Sequence, residues 1–373
     1  MAKTAIVVGA GILGLATARA LALKGYNVNV YDRSLMVSGA SVRNFGMVWP
    51  IGQPAGKLYN RAIASRNCWS EIGKSSDLWF DQTGSLHLAY NNEEWQVLKE
   101  VYEVFRNEGR NVELLNKEQV LKKSSIAKAE NCKGGLYSYE EIIVDPREAI
   151  ALLPRYLGEK LNIQFHWGKA VTAVRTGTIQ CGQESVRADQ IFICSGSDFE
   201  TLYPEEYLKY PLTKCKLQMM RLIESGTPRI GPAICGGLSL IHYHSFKAAD
   251  SLDKLKKFYK ENLPEYLTWG IHVMVSQNHL GHLTVGDSHE YGLSPDPFDK
   301  KHINDLILDY LSKFTALREP KIIETWNGVY AKFTNDQTEL FFSPDPEVYI
   351  INGVGGNGMT MSFGLAEELI GAL

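Results

Sequence analysis

Residues 4–33 read TAIVVGAGILGLATARALALKGYNVNVYDR, and this stretch decides the fold. Its first five residues form an apolar, β-branched run that is typical of a buried parallel strand. Gly9, Gly11 and Gly14 follow at once, and a helix-like apolar pattern then continues as far as Gly25. A second apolar strand comes next. The order of strand, glycine loop, helix and strand indicates a βαβ unit that binds a dinucleotide.

Each glycine of this motif has a mechanical reason. Gly9 permits the tight turn after the strand, and Gly11 allows the backbone to approach a pyrophosphate. Gly14 lets the helix lie close to the sheet, so that the helix amino terminus faces the phosphates. Asp32 stands eighteen residues after Gly14, where a carboxylate can accept hydrogen bonds from adenosine ribose hydroxyls. An acid here disfavours a 2′-phosphate, so FAD and NAD both remain as cofactors.

Composition and charge exclude several classes of protein. The chain has 373 residues, which exceeds the usual size of one hydrophobic core and predicts two domains. Its net charge of −3 gives no reason to expect a nucleic-acid partner or a polybasic membrane contact. No apolar run is long enough for a membrane helix, and the strand that begins at Thr4 leaves no room for a signal peptide. Six cysteines without metal-site spacing are typical of free thiols in a reducing compartment, which predicts a cytoplasmic protein.

Four segments in order resemble the D-amino-acid oxidase family of FAD-dependent amine oxidoreductases, which includes glycine oxidase, sarcosine oxidase and D-amino-acid dehydrogenases. They are the glycine-rich stretch of residues 7–33, GASVRNFG at 39–46, CSGSD at 194–198 and INGVGGNGMT at 351–360. The resemblance covers essentially the whole chain and implies FAD as the cofactor. It also implies that the first glycine loop holds the pyrophosphate and that the late one lines the isoalloxazine.

The late glycine loop has a physical role that fits this implication. Backbone N–H groups next to a helix amino terminus stabilise negative charge near the flavin N1 and O2 atoms without an ionisable side chain. Val171 resembles the family position whose backbone meets the adenine. The cofactor contacts expected from spacing and resemblance are Gly9, Gly11, Gly14, Asp32, Arg33, Ser41, Arg43, Asn44, Val171, Gly355, Gly356, Asn357, Gly358, Met359 and Thr360.

The fold expected is α/β, with a Rossmann-like, glutathione-reductase-type FAD-binding domain interleaved with a mixed-sheet substrate domain. Nucleotide-domain patterns recur after a strand-rich middle region, and the chain shows neither internal repeats nor a linker. The FAD-binding domain is predicted to be discontinuous and to comprise residues 1–82, 144–210 and 326–373. The substrate-binding domain is predicted to comprise residues 83–143 and 211–325.

The segment WNGVYAKF, residues 326–333, departs from the family pattern in two ways. Some members attach flavin covalently through a Cys in this strand, and its absence here predicts non-covalent FAD. Many members hold the substrate carboxylate with an Arg in a Gly-aliphatic-Arg-Pro pattern, but this chain has Tyr330 at the Arg position. Tyr330 can donate a hydrogen bond, and Lys332 lies on the same strand face.

Other candidate substrate contacts are Arg43 and the histidines. The segment IHYHSF predicts a strand with His242 and His244 on one face, and six of the nine histidines fall between residues 242 and 289. As a group they suit a doubly charged acid. No metal site is expected, because no acidic or thiolate residue shows ligand spacing near them.

The segments KLQMMRL, IHVMVSQN, GDSHEYG, WNGVYA and GGNGMTMSFGLAEE resemble a bacterial subgroup of the family that is associated with aminophosphonate breakdown. This implies oxidation of 2-aminoethylphosphonate or its N-methyl derivative, with an N-methyl amino acid close behind. Hydride would pass from the carbon beside the neutral amine to flavin N5, and water would hydrolyse the imine. Oxygen or another electron acceptor would complete the cycle. The alternatives are a D-amino acid, sarcosine or glycine oxidase-like enzyme, a nicotinamide-dependent dehydrogenase and a non-catalytic flavin-binding protein.

Overall fold

A computed structural model describes residues 2–224, 226 and 229–373. Its strands, in chain order, are β1 (Thr4–Val8), β2 (Asn27–Asp32), β3 (Met47–Val48), β4 (Phe80–Asp81), β5 (Ser85–Ala89), β6 (Val112–Asn116), β7 (Gly134–Ser138), β8 (Ile142–Val144), β9 (Gln164–Trp167), β10 (Val171–Arg175), β11 (Thr178–Cys181), β12 (Glu184–Arg187), β13 (Gln190–Ile193), β14 (Leu212–Ile223), β15 (Ala233–Cys235), β16 (Met274–Gln277), β17 (Leu283–Gly286), β18 (Glu290–Tyr291), β19 (Lys321–Phe333), β20 (Leu340–Asp345) and β21 (Val348–Asn352).

The helices in the described residues are α1 (Ile12–Leu23), α2 (Lys57–Lys74), α3 (Asn92–Asn107), α4 (Lys117–Lys123), α5 (Pro146–Leu161), α6 (Pro204–Tyr207), α7 (Ser239–His242), α8 (Leu252–Asn262), α9 (Pro264–Thr268), α10 (Lys301–Phe314) and α11 (Gly358–Ala372). Short 3₁₀ turns occur at Ala40–Val42, Pro50–Gly52, His244–Ala248 and Gly355–Asn357.

Six described strands form the sheet that begins the chain, in the order β20-β21-β13-β1-β2-β9. All neighbours are parallel except β20 and β21. Strand β1 lies in the middle and its last four residues are buried, as expected for a parallel strand that is covered on both faces. Helix α1 packs beside α5 and α11 on one face. The predicted βαβ unit is therefore present.

Nine described strands form a second, mixed sheet in the order β18-β14-β17-β16-β15-β5-β7-β6, with β19 also paired to β14. The antiparallel pair of β14 and β19 runs from Leu212 opposite Phe333 to Ile223 opposite Lys321. Helices α3, α8 and α10 bury apolar side chains in the core of this sheet. The strands β10, β11 and β12 form a small separate sheet, and β8 lies between β3 and β4 in another.

This combination of a mostly parallel sheet and a mixed sheet confirms the predicted α/β fold class. We propose that the two large sheets mark the two predicted domains, whose ranges include residues 1, 225, 227 and 228 outside the described part. The chain passes between the sheets several times, because β1, β2 and β9 belong to the first while β5 and β7 belong to the second. Strand β19 pairs with β14 along its length, so residues 326–333 lie in the second sheet.

The strand predicted for residues 241–246 is wrong. Helix α7 ends at His242, and a 3₁₀ turn begins at His244. The buried residues here are Ser239, Leu240, Ser245 and Phe246, which are spaced as adjacent pairs on helical turns and do not alternate. His242 and His244 therefore do not share a strand face.

Gly14 permits a close contact between α1 and the loop that follows β1. A Cβ at this position would lie 1.9 Å from the carbonyl oxygen of Gly9. We expect Gly14→Ala to push α1 away from β1 and to lower the free energy of unfolding by about 1–3 kcal/mol, as overpacking of a tight core does. Urea unfolding followed by circular dichroism measures this change.

The matched control is Gly371→Ala in α11, where a Cβ would meet no atom within 4 Å. That variant should be neutral or slightly more stable, because alanine favours a helix over glycine by up to about 1 kcal/mol. Equal stabilities for Gly14→Ala and the unaltered protein would show that the two segments are not held this closely.

Candidate functional site

An elongated cavity of about 520 Å³ runs past the carboxyl ends of β1, β2 and β13. Ligands of parallel α/β sheets bind at this edge, outside the carboxyl ends of the strands. The cavity continues to β19 and to the loop before α11. Its lining includes Gly9, Gly11, Asp32, Arg33, Ser41, Arg43, Asn44, Val171, Ser195, Asp198, Gly328, Tyr330, Gly355, Gly356, Gly358 and Met359.

The first glycine loop leaves room only for backbone. Gly9 has a φ of +102°, and its N–H donates to the carbonyl of Tyr31 at 2.8 Å. A Cβ on Gly9 would lie 2.4 Å from the carbonyl oxygen of Cys194, on the neighbouring strand end. At the start of α1, the N–H of Ile12 donates to the Ser41 hydroxyl at 2.9 Å. Gly9 is thus required by its backbone conformation and by its close neighbour.

Asp32 braces the edge of the cavity. One of its carboxylate oxygens accepts the N–H of Ala10 at 2.8 Å, and the other accepts the N–H of Ser34 at 2.8 Å. An ionised carboxylate has about four acceptor positions, so two such bonds leave capacity for ribose hydroxyls. Asp32 therefore lies where the spacing placed it, and it also fixes the glycine loop, which the sequence pattern did not reveal.

Arg33 and Val171 line the part of the cavity that the sequence predicts for adenosine. The Arg33 guanidinium donates to the Asp198 carboxylate at 2.7 Å, which joins the end of β2 to the loop after β13. Hydrogen bonds from that loop, the largest of them from Thr201, hold the Asp198 pKa below its usual value despite partial burial. Val171 is buried at the start of β10 and lines the same side. The structure brings these residues together as expected.

The segment around residues 41–44 lines the middle of the cavity. The Asn44 side chain forms hydrogen bonds within its own loop. Its amide N–H donates to the Ser41 carbonyl at 2.8 Å, and its amide oxygen accepts the Gly46 N–H at 2.8 Å. Arg43 donates to the carbonyl of Asn327 in β19 at 3.1 Å. Both residues thus line the cavity while tying it to its surroundings.

The late glycine loop closes the other end. Gly355 and Gly356 lie in a 3₁₀ turn, and α11 begins at Gly358. A Cβ on Gly356 would lie 3.3 Å from the Tyr330 hydroxyl, so the loop passes directly over that side chain. Backbone N–H groups of the first turn of α11 are thereby placed at this end of the cavity.

Two predicted contacts in this loop have structural partners instead. The amide oxygen of Asn357 accepts the Gln53 side-chain N–H at 3.2 Å. The hydroxyl of Thr360 accepts the Trp49 N–H at 2.9 Å. Neither residue is among those that line the cavity. They hold the loop against the 3₁₀ turn of residues 50–52.

Tyr330 and Lys332 lie where the second sheet meets the late glycine loop. Lys332 forms an antiparallel bridge with Val354, and its amine donates to the Tyr291 hydroxyl at 3.1 Å. Burial raises the pKa of the Tyr330 hydroxyl well above its usual value. Tyr330 lines the cavity at this end, whereas Lys332, two residues along the same strand, is not among the lining residues.

Three histidines lie close to these two residues. The ring centroids of His242 and His272 are 3.8 Å apart, and that of His289 lies 4.8 Å and 5.1 Å from them. His272 and His289 are buried, whereas His242 is partly exposed. Burial lowers the pKa of all three imidazoles, that of His289 to about 4, with Lys332 adding to the effect. All three are therefore neutral near pH 7. His244 is exposed and stands apart from this group.

Asp287 completes the cluster. Its Oδ1 atom lies 3.2 Å from His272 Nε2 and 3.9 Å from His289 Nδ1. Burial raises the pKa of this carboxyl well above its usual value. Spacing along the chain revealed no acidic partner, because the sheet makes this contact. A prediction that β16 and β17 form an antiparallel pair would have indicated this contact. His272 precedes β16 and Asp287 follows β17, so the two residues meet at the same edge of the sheet.

A parallel sheet with a cavity along the carboxyl ends of its strands and a second sheet beside it is typical of proteins that bind a dinucleotide. The DAO family, described as FAD dependent oxidoreductase, matches residues 4–371, and the chain belongs to this family. The site fits FAD on its own evidence, because glycines from both glycine loops line the same cavity and a Cβ on Gly9 would collide with the Cys194 carbonyl at 2.4 Å. The protein is thus an FAD-dependent oxidoreductase.

Solved structures with the same fold include glycine oxidase from Geobacillus kaustophilus, with a TM-score of 0.79 and 17% identity over 100% of this chain and 94% of that one. L-proline dehydrogenase from P. horikoshii has a TM-score of 0.80 and 19% identity over 99% and 92%. Iminodiacetate oxidase from Chelativorans sp. BNC1 has a TM-score of 0.72 and 18% identity over 98% and 94%. At these identities the likeness establishes the fold.

A curated relative is the tRNA 5-methylaminomethyl-2-thiouridine biosynthesis bifunctional protein MnmC of Saccharophagus degradans (strain 2-40 / ATCC 43961 / DSM 17024). It is 27% identical over an alignment of 257 residues, and the match covers 63% of this chain. The match spans about a third of that protein, 34% of its length. In the described residues, no helix combines the length and apolar character needed to cross a membrane.

Asp32→Asn tests the brace at the adenosine side. The amide presents an N–H to at least one of the two backbone donors that the carboxylate now accepts. Hydrogen bonds to a charged group contribute about 1.5–3 kcal/mol, so we expect FAD affinity to fall about 10- to 100-fold. Fluorescence titration of the apoprotein with FAD gives the dissociation constant.

The control is Asp253→Asn, on the exposed side of α8, where the carboxylate pairs only with the exposed Lys256 in the described residues. Its FAD affinity should equal that of the unaltered protein. An unchanged affinity in Asp32→Asn would remove Asp32 from the cofactor site.

Proposed function

We propose that this FAD-dependent oxidoreductase oxidises a carbon–nitrogen bond of a small amine that carries an acidic group. The observation that carries the proposal is the pairing of Tyr330 with Lys332 at the late glycine loop. Many family members have an Arg for the substrate carboxylate at the position of Tyr330. Here a phenol takes that position, and the positive charge moves two residues along the same strand face.

Lys332 is available to an anionic ligand. Among the described residues, no carboxylate lies within 4.0 Å of its amine, which donates to the Tyr291 hydroxyl. Tyr330 and Lys332 both belong to β19, and both lie next to the late glycine loop: Lys332 bridges to Val354, and Tyr330 lies beneath Gly356. A substrate acid bound by both residues would therefore lie beside the loop of residues 355–358. An ammonium group is a compact point charge with three donors, which suits a phosphonate as well as a carboxylate.

The substrate class we favour is an aminophosphonate, 2-aminoethylphosphonate or its N-methyl derivative, as the resemblance to the aminophosphonate-associated subgroup implies. A doubly charged acid gains more from Lys332 than a carboxylate does. The second candidate is glycine, sarcosine or a D-amino acid. Glycine and iminodiacetate, after which two of the structural neighbours are named, are both small amines with acidic groups. A tRNA substrate, as in the name of MnmC, is not favoured by a net charge of −3.

The side chains and backbone of the protein would bind and orient the substrate and the cofactor. When bound, the flavin supplies a hydride acceptor at its N5 atom. Tyr330 and Lys332 would hold the acid, and the glycine loop of residues 355–358 would present backbone N–H groups to the cofactor. No side chain is assigned as a base, because the lone pair of the neutral amine assists loss of the hydride from the neighbouring carbon. Water then hydrolyses the resulting imine to a carbonyl compound and an amine.

The setting of the reaction is also proposed. FAD is bound non-covalently, since β19 has no cysteine. Oxygen or an electron-transfer partner accepts the electrons. All six cysteines are buried free thiols, which supports a reducing, cytoplasmic compartment.

Anaerobic addition of amines to the purified holoenzyme tests the function directly. The panel is N-methyl-aminoethylphosphonate, aminoethylphosphonate, sarcosine, glycine and D-alanine, with loss of flavin absorbance as the readout. We expect rapid bleaching by the two phosphonates and slow or no bleaching by the others. Bleaching by sarcosine, glycine or D-alanine alone would favour the second candidate. If no amine bleached the flavin, the protein would instead be a non-catalytic flavin-binding protein or act on another substrate.

Lys332→Met tests the anion contact. Loss of a charge-assisted hydrogen bond of about 1.5–3 kcal/mol should raise KM for the aminophosphonate roughly 10- to 100-fold, with a smaller change in kcat. The control is Lys247→Met, an exposed lysine whose nearest carboxylate, that of Asp336, is 3.6 Å away. Steady-state kinetics on both variants give the comparison, and equal KM values would place the substrate acid elsewhere.

A further inference from the structure

Three imidazoles converge from three separate elements. His242 ends α7, His272 precedes β16 and His289 follows β17. Each ring offers a nitrogen such that these three atoms all lie within 4.8 Å of one another. The convergence depends on the pairing of β16 with β17 and on the packing of α7 beside them.

The outer nitrogens of two rings have partners. His289 Nδ1 lies 2.9 Å from the carbonyl oxygen of Gly270, which can only accept, so Nδ1 carries the hydrogen and Nε2 of the neutral ring keeps its lone pair. His272 Nε2 faces the carboxylate of Asp287 at 3.2 Å. Histidines that bind metals almost always place their second nitrogen against a carbonyl or a carboxylate in this way.

The inner side of the cluster lacks a partner. Nδ1 of His272 points away from the Asp287 carboxylate that faces Nε2, and it is buried without a hydrogen-bond partner among the described residues. His272 as a whole is only 3% exposed. A buried polar atom without a partner is unfavourable, so this nitrogen indicates a ligand.

The donor groups favour a metal ion over an acid at the centre. The Asp287 carboxyl lies beside two of the rings, where a bound cation would stabilise its ionised form and a bound acid would be repelled by that form. The positive charge of Lys332 opposes a cation here, and the Lys332 amine donates to the Tyr291 hydroxyl. Imidazole nitrogens together with a carboxylate are ligands that Zn²⁺ prefers.

We propose that His242, His272 and His289 form a site for a divalent transition metal of the Zn²⁺ class, with Asp287 orienting His272. Three histidine ligands leave a fourth tetrahedral position open to water or to an oxygen of a bound acid. Metal–nitrogen bonds of about 2.0–2.1 Å require the nitrogens to approach to roughly 3.3 Å, so the rings close on binding. The site is independent of the identity of the substrate.

Co²⁺ titration of the chelator-treated, dialysed holoenzyme tests the proposal. We expect one Co²⁺ per chain by elemental analysis, with intense ligand-field bands at wavelengths beyond the flavin absorption, and displacement of Co²⁺ by Zn²⁺. His272→Gln and His289→Gln should each weaken Co²⁺ binding at least about 100-fold, and Asp287→Asn about 10- to 100-fold. Flavin content and circular dichroism show that each variant is folded, and the two histidine variants support one another if either is unstable.

His244→Gln is the matched control, because His244 lies two residues from His242 but is exposed. Its Co²⁺ affinity should be unchanged. Absence of saturable Co²⁺ binding would overturn the proposal, as would binding that survives in both His272→Gln and His289→Gln. Inorganic phosphate is titrated into the metal-free enzyme in parallel. Phosphate binding that is lost in His272→Gln, without Co²⁺ binding in the unaltered enzyme, would identify an anion site in place of a metal site.

Discussion

The rest of the structure depends on one close contact, between Gly9, directly after β1, and Gly14 in α1. The Cα of Gly14 packs so closely on the carbonyl of Gly9 that no side chain fits between them. This approach brings the amino terminus of α1 to the edge of the parallel sheet. Asp32 then fixes the loop by accepting a backbone N–H from Ala10. The cavity follows from these contacts, because the neighbouring strands β1, β2 and β13 end at the same edge and leave a groove there.

The paired strands β14 and β19 provide the second frame. They form an antiparallel ladder over twelve registered pairs, and β19 reaches from the second sheet to the late glycine loop. Tyr330 and Lys332 are therefore positioned by a long strand and not by a flexible loop. Because Lys332 also bridges to Val354, β19 connects Tyr330 and Lys332, the proposed contacts for the substrate acid, to the late glycine loop.

The sequence predicted those parts of the protein that depend on neighbours along the chain. The βαβ unit, Asp32 at the strand end and the paired side chains of β19 all follow from local spacing. It could not predict contacts between distant segments that meet through sheet register. Asp287 and His272 are fifteen residues apart and touch only because β16 and β17 are antiparallel. His242 was placed on a strand, but buried Leu240 and Phe246 instead favour helical turns there, and this change turns it towards His272.

Tyr330 stands where many family members have an arginine, and the histidine cluster lies close by. The charge at position 330 therefore affects what the histidines can bind. An arginine is always charged, and it would repel the cation proposed to bind His242, His272 and His289, whose imidazoles stay neutral because burial disfavours their charged forms. A neutral phenol removes that repulsion and leaves the imidazole lone pairs available. Lys332 keeps a positive charge at the rim, where Tyr291 holds its amine. The site therefore combines the positive charge of Lys332 with three neutral imidazoles that can bind a cation. A single arginine cannot provide both.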